Sequence, residues 1–377
     1  MTRQSVLVFR KRLLPYSETF IAAQGTALQS LEPIFVGFTR EPSGYDYLGS
    51  APVLLHSELA RIPPLSRTLM RVSGRVSPRW LHAMASTDPG LLHAHFGRDA
   101  LAALPIVERL RIPLVATFWG FDITMNETRS RYARSRPRVF ARAAVVVACS
   151  RFISDQLIAK SCPPEKIVVH HVGTDVGRFT PDPNLPRRPR VLFVGRLVPK
   201  KGLEHLIRAM ARIQDRHPAA ELVVAGDGPL RQDLERLAAS ELRRFRFLGR
   251  QTPSQVHSLM NSAQLCCVPS VVAPSGDAEG LPLVVLEAMA MELPVISFAP
   301  GGVTDAIVDG ETGFLAPEGD EEALAVHLDR ALGDPEMCRR MGEAGRARVC
   351  DHFDLRKQTG KLEEIYEEVL AAPAGQR

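Results

Sequence analysis

Cysteine is scarce in this chain: six in 377 residues, at positions 149, 162, 266, 267, 338 and 350. Their spacing is irregular and the one close pair is adjacent, so no disulfide framework and no C-x-x-C metal or redox pattern can be drawn. Reduced thiols of a cytosolic protein are expected. Long apolar runs are missing too. The longest, residues 143–149 and 281–290, fall well short of the roughly 20 residues that cross a bilayer. Residues 1–12 hold no apolar segment of signal-peptide length, so no export signal is expected. There is no internal repeat and no low-complexity tract. The motif Asp-x-Asp, which would suggest a metal-bound diphosphate, occurs nowhere.

What remains is an ordinary globular composition, 45% apolar and 24% charged, which argues against a disordered or membrane-embedded chain. The length exceeds what one hydrophobic core serves, and two domains of roughly 150–200 residues are expected. The net charge of +5 is unevenly spread. Residues 1–185 carry 23 Lys and Arg against 14 Asp and Glu, a balance of +9, and the remainder is at −4. Halves of unlike charge suggest unlike partners, with something anionic facing the first.

Short Val-rich runs alternate with helix-length segments along the whole chain. In the first half they are 5–9, 91–95, 115–118, 144–148 and 167–170, and in the second 191–194, 222–225, 245–248, 265–268 and 295–298. Runs of this length bounded by Gly or Pro predict strands buried on both faces. With helices such as 203–213 and 230–239 between them, each half is expected to be a doubly wound α/β domain with a parallel sheet. Four prolines between Thr180 and Pro189 fit a semi-rigid linker. The expected division is 1–180, a linker at 181–189, a second domain at 190–350, and a C-terminal helix in 351–377 that either stays with the second domain or packs back on the first. Two such domains facing an interdomain cleft suit a two-substrate enzyme or a clamshell binding protein.

The richest segment runs from Val268 to Ala290. A strand ends, a Pro, Ser and Gly loop follows, and Pro282 suits a first helical position. Glu279 then lies just before the helix and Glu287 within it. The amides of Gly280 and Leu281 are expected at the positive helix end, a natural place for phosphate. A carboxylate there is unfavourable unless it meets hydroxyls or developing positive charge, although Glu279 could equally be a simple helix-start acid. Upstream, Val191-Leu-Phe-Val-Gly195-Arg196-Leu-Val-Pro-Lys200-Lys201-Gly202 reads strand, loop, helix. Arg196 and Lys201 sit where two fixed cations can neutralise a leaving diphosphate. Lys200 is expected to point to water.

The combination Gly195-Arg196-Leu with Lys201-Gly202, Ala225-Gly-Asp-Gly-Pro-Leu230, Glu279 and Glu287 eight apart, and Gly301-Gly-Val-Thr-Asp305 resembles retaining glycosyltransferase family 4. The resemblance implies the GT-B fold, two Rossmann-like domains, and a nucleotide-sugar donor of UDP or GDP type with no metal. It implies that Arg196 and Lys201 bind the diphosphate, Glu279 the donor sugar and Glu287 the ribose hydroxyls. Gly195 belongs to the same loop, and Gly249 and Arg250 would lie against the base. Thr304-Asp305 stands where family members usually carry Pro-Glu.

In the first half, Pro15-Tyr-Ser17-Glu18-Thr19-Phe20-Ile21 and His93-Ala-His95-Phe-Gly97 resemble the exopolysaccharide-building, colanic-acid-type members of that family. Glu18 and His95 are thereby expected on the acceptor side, though His95 could also be a hydrogen-bonded histidine at a strand end. The pattern breaks at Ala116-Thr-Phe-Trp119-Gly-Phe-Asp122. The family normally has His at the position of Trp119, contacting the donor sugar, and an indole only donates a hydrogen bond. Asp122 is retained.

Arg67, Arg71, Arg75 and Arg79 recur every fourth residue beside Leu65, Leu69, Val72, Val76 and Trp80. This predicts an amphipathic helix over 61–80 that either lies on an anionic membrane or packs apolar side inward. A second basic cluster comprises Arg129, Arg131, Arg134, Arg136, Arg138 and Arg142. No nucleic-acid-binding module accompanies either, so no nucleic-acid partner is expected. The expectation is a retaining, metal-independent hexosyltransferase acting on a polysaccharide or lipid-linked oligosaccharide, cytoplasmic, either free or at the inner membrane face. The alternative is a nucleotide-sugar-binding protein impaired in catalysis by Trp119. A periplasmic receptor is disfavoured by the missing export signal.

Overall fold

The computed structural model describes residues 4–13, 15, 18–41, 48–60, 64, 65, 68, 70, 75–127 and 130–373. Its contacts divide the chain into two units, Met1–Gly173 with Leu355–Arg377, and Thr174–Asp354.

The first unit is built on β1 (Ser5–Phe9), β2 (Arg12–Leu13), β3 (Glu32–Gly37), β4 (Thr39–Arg40), β5 (Val53–Leu55), β6 (Pro89–His95), β7 (Leu114–Phe118), β8 (Val145–Ala148) and β9 (Ile167–Val169). Seven of these form one sheet in the order β5-β3-β1-β6-β7-β8-β9, and its pairings are all parallel. Each strand carries branched or aromatic residues because both faces are covered. Leu7 and Phe9 join one apolar cluster, and Val6 and Val8 join the other. The second cluster is completed by Leu362, Tyr366 and Val369 of the C-terminal helix, Leu355–Ala371. That helix is pinned by Glu363, whose carboxylate accepts from the amides of Gln29 (2.8 Å) and Ser30 (2.6 Å).

The second unit holds β10 (Arg190–Val194), β11 (Glu221–Ala225), β12 (Phe245–Phe247), β13 (Leu265–Val268), β14 (Val295–Phe298) and β15 (Gly313–Ala316), ordered β12-β11-β10-β13-β14-β15 and again parallel. The helix Leu203–Ile213 buries Leu203, Leu206, Ile207, Met210 and Ile213, a three-and-four spacing that makes one apolar stripe. The division falls at Gly173, seven residues before the expected one at 180. The proline stretch 181–189 is tied to the second unit: the amide of Asp182 donates to Asn261 (2.9 Å), that of Arg188 to the Ser262 carbonyl (2.9 Å), and the Arg187 guanidinium to the Met291 carbonyl (2.8 Å).

In both sheets the chain starts centrally, winds to one edge, and returns to wind to the other. The order reverses between β1 and β6 in the first unit and between β10 and β13 in the second. Ligands bind outside the carboxyl ends of strands at such switch points. The chemistry-bearing motifs lie there.

Candidate functional site

In the second unit, the loops after β10 and β13 flank the switch point. A short turn, Pro199–Lys201, precedes Gly202, whose φ is +58°. A β-carbon at Gly202 would stand 2.0 Å from the Pro269 carbonyl oxygen, so only glycine lets the two loops meet. Their meeting sets Lys201 Nζ 3.0 Å from Glu279 Oε1. The Lys201 stem covers Gly195, where an added β-carbon would be 3.5 Å from Lys201 Cε. Lys200 does not point to water: its Nζ is 3.1 Å from Asp277 Oδ1 and 3.5 Å from Glu279 Oε1. The proline-rich loop folds Asp277 back over the turn, a reach that spacing along the chain does not reveal. Burial alone would push the Glu279 carboxyl up, but Lys201 and Lys200 outweigh it and hold it at about 2. Arg196, on the same loop, is exposed and makes no ion pair among the described residues.

The helix after Glu279 spans Leu283–Ala290, with Pro282 as its N-cap rather than its first residue. Proline offers no capping side chain, and the amides of Gly280, Leu281, Leu283 and Val284 find no acceptor among the described residues. Four unused N–H groups at a helix start favour an anion. Glu287, one and a half turns on, is half-buried, and burial pushes its carboxyl up to about 7 against the pull of Arg178. Gly301 (φ +74°) brings its backbone against the Glu279 carbonyl, where a β-carbon would lie 2.4 Å away. Asp305, which replaces the usual Glu, is buried in the short helix Val303–Ala306. After β12, the Gly249 carbonyl accepts from the Gly226 amide (2.9 Å), which fixes Gly249 and the exposed Arg250 beside the end of β11.

In the first unit, the loop after β1 carries Arg10. Its guanidinium meets Glu18 through two bonds (2.7 and 2.5 Å), bonds Asp99, and lies 4.1 Å over the Phe96 ring. Lys11 also reaches Asp99, at 3.3 Å. Burial works against the Arg10 cation, but Glu18 and Asp99 outweigh it and keep it firmly charged. Glu18 is thus already committed to an ion pair. His95 ends β6 and is buried between two rings, His93 at 4.2 Å and Trp119 at 5.9 Å. Burial, with His93 and Arg10 nearby, holds the His95 imidazole neutral, well below its ordinary range. Its Nδ1 has no hydrogen-bond partner, nor has Nε1 of Trp119, which also packs edge-on to Phe20 at 4.5 Å. His95 is therefore not the hydrogen-bonded strand-end histidine of the plainer alternative.

Asp122 is turned into the fold. It is fully buried, accepting from the amides of Gly97 (2.8 Å), Gly120 (3.0 Å) and Trp119 (3.1 Å). Burial pushes its carboxyl up and those amides draw it back. Its work is to hold the Trp119 loop against the start of the Gly97–Leu110 helix. Arg10, Asp99 and Asp277 escaped the sequence reading, because each acts through a partner distant along the chain.

The basic helix expected over 61–80 is not continuous. Residues 75–77 are not helical, a helix begins at Pro78, and Val76 and Trp80 are buried. Arg67, Leu69, Arg71, Val72 and Gly74 lie outside the described residues, as does Arg129 of the second cluster. That cluster forms the helix Arg131–Arg142, which has no acidic residue. Arg131, Arg134 and Arg138 are exposed on one face, with no ion pair among the described residues. No described helix is long and apolar enough to cross a membrane, and no three described His, Cys, Asp or Glu side chains converge as a metal site would require.

Residues 179–348 match the family model described as glycosyl transferases group 1, and residues 18–178 match that described as glycosyltransferase family 4. The chain is 32% identical over 283 residues to the amylovoran biosynthesis glycosyltransferase of Erwinia amylovora, covering 72% of this chain and 69% of that one. It is 31% identical over 245 residues to a Salmonella typhimurium protein named for colanic acid biosynthesis, covering 62% of this chain and 59% of that one. Among solved structures, Anabaena HepE in complex with UDP and glucose is similar at a TM-score of 0.78 and 19% identity, over 97% of this chain and 100% of that one. The fold is of GT-B type, with two Rossmann-like domains.

Proposed function

This chain belongs to the group 1 and family 4 glycosyltransferases, and on that premise we propose that it is a retaining, metal-independent hexosyltransferase. Its donor is a nucleoside-diphosphate sugar of UDP or GDP type, and its acceptor a hydroxyl of a polysaccharide or lipid-linked oligosaccharide. The observation that carries this reading is the switch point of the second unit. There the Lys201–Glu279 pair, the exposed Arg196 and four unused helix-start amides lie on adjoining loops.

The departing group is an anion, so the first requirement is fixed positive charge placed where that charge develops. Arg196, Lys201 and the amides of Gly280 and Leu281 supply it without a metal. Glu279, kept ionised, accepts hydrogen bonds from the donor sugar and orients it. Glu287 accepts from the ribose hydroxyls. In the transfer, the bond from the acceptor oxygen to the anomeric carbon forms on the face where the carbon–phosphate oxygen bond breaks. The acceptor proton passes to the departing phosphate oxygen, so neither carboxylate need form a covalent intermediate. Glu18 and His95 serve acceptor recognition, with Glu18 acting through Arg10, while Trp119 reads the donor sugar in place of the usual His.

Thermal-shift measurement with UDP, GDP and their sugars tests the donor reading, and stabilisation by none of them refutes it. Glu279→Gln is expected to fold and to transfer no sugar; full activity would remove Glu279 from the mechanism. The substitution of Trp for the usual His favours one competing reading, a nucleotide-sugar binder without turnover. Nucleotide release that depends on an added acceptor extract decides for the enzyme. The free arginines 131, 134 and 138 support a location at an anionic inner membrane face.

A further inference from the structure

Lys200 has no role in the reading above, yet it is the more firmly held of the two adjacent lysines. Its ammonium is shared between Asp277 (3.1 Å) and Glu279 (3.5 Å), and its carbonyl accepts from the Val271 amide at 2.9 Å. Asp277 is itself mounted. Its carbonyl accepts from Ala273 (2.9 Å), and the loop's other end is tied by the Val272 amide to Glu318 (2.5 Å). Lys201 has a single carboxylate contact, on the same oxygen of Glu279 that Lys200 approaches.

Two lysines and two carboxylates sum to zero. A diphosphate brought beside them needs one cation released, and releasing Lys201 would expose the Glu279 anion to the phosphates. Lys200 removes that conflict, because Asp277 holds it in place whatever Lys201 does. We propose that Lys200 is a positioning residue of the donor site, which neutralises Glu279 so that Lys201 can turn to the diphosphate. This rests on the donor reading, with Lys200 acting through Glu279 and not touching the donor.

Isothermal titration of the full chain with UDP and GDP, and with uridine and guanosine as phosphate-free probes, tests it. Lys200→Met is expected to weaken the diphosphate about tenfold, equivalent to ~1.4 kcal/mol, and to leave the nucleoside affinity alone. Lys200→Arg should restore most of the loss. In a Glu279→Gln/Asp277→Asn background, Lys200→Met should have almost no further effect, since both charges it neutralises are gone. Unchanged diphosphate affinity in Lys200→Met overturns the proposal. So does a loss that persists undiminished in the Glu279→Gln/Asp277→Asn background, which would mean direct contact with phosphate, or an equal loss of nucleoside, which would mean a misshapen site. Lys200→Gln serves as second variant should the methionine variant not fold. A wild-type chain that binds neither diphosphate overturns the donor reading itself, and this inference with it.

Discussion

Glu279→Gln should destabilise the protein at neutral pH, and the deficit should shrink as the solution is acidified. In the folded chain the carboxyl is held at about 2 against an ordinary 4.5, because the two lysines outweigh burial. A carboxyl whose folded value is depressed stabilises the native state above its unfolded value, and that stabilisation disappears as pH falls through the folded value. The difference corresponds to about 3 kcal/mol at pH 7, falling to ~1.4 kcal/mol at pH 3. Glutamine keeps the shape, so the gap between variant and wild type should follow this course. Urea unfolding followed by far-UV circular dichroism measures it. Both tryptophans, Trp80 and Trp119, lie in the first unit, so their fluorescence reports that unit separately. Equal midpoints at pH 7, or a gap as wide at pH 3 as at pH 7, would refute the electrostatic account of the pair.

Glu287 should behave in the opposite sense. Its folded value is raised to about 7, so the wild type loses stability as pH climbs from 4.5 towards 7, and Glu287→Gln should be the more stable by up to about 3 kcal/mol at pH 8. If the ionised form accepts from ribose, nucleotide binding near pH 7 should release a proton, read from the buffer dependence of the binding enthalpy. Asp122→Ala leaves three buried amides without an acceptor and should cost ~3 kcal/mol or more in the tryptophan-monitored transition. Trp119→His should leave that transition in place but change the ratio of kcat/KM between two donor sugars by about tenfold. An unchanged ratio would mean that Trp119 does not read the sugar. Replacing Arg131, Arg134 and Arg138 with Glu should abolish salt-sensitive co-sedimentation with anionic vesicles, a test that fails if the wild type sediments equally with neutral ones.

The strands were legible because burial on both faces leaves a short apolar signature that turns punctuate. The runs at 5–9, 265–268 and 295–298 coincide with β1, β13 and β14. Missed were the two- and three-residue strands β2, β4 and β5, together with β3, which opens with Glu32 and Pro33, and β15, which reads Gly-Phe-Leu-Ala. None is a long Val-rich run, and sheet position rather than composition makes them strands. Within the site, the lysine and carboxylate types were readable from motif order. Their pairing was not. Lys200 and Asp277 are 77 residues apart, and only a loop doubling back makes them neighbours. Asp122 has the same lesson in reverse: a retained acidic residue in a functional stretch spends all its bonds on the backbone.

The C-terminal helix has a consequence for how the chain is made. Its Tyr366 hydroxyl bonds His93 at 2.6 Å, and its Leu362 and Val369 finish a cluster begun at Val6. Residues 174–354 form one contiguous stretch of sequence, so on a ribosome they can collapse as soon as they emerge. The earlier-synthesised half must meanwhile wait with an apolar face uncovered. Birth order and folding order are therefore reversed: the half translated first is the half completed last.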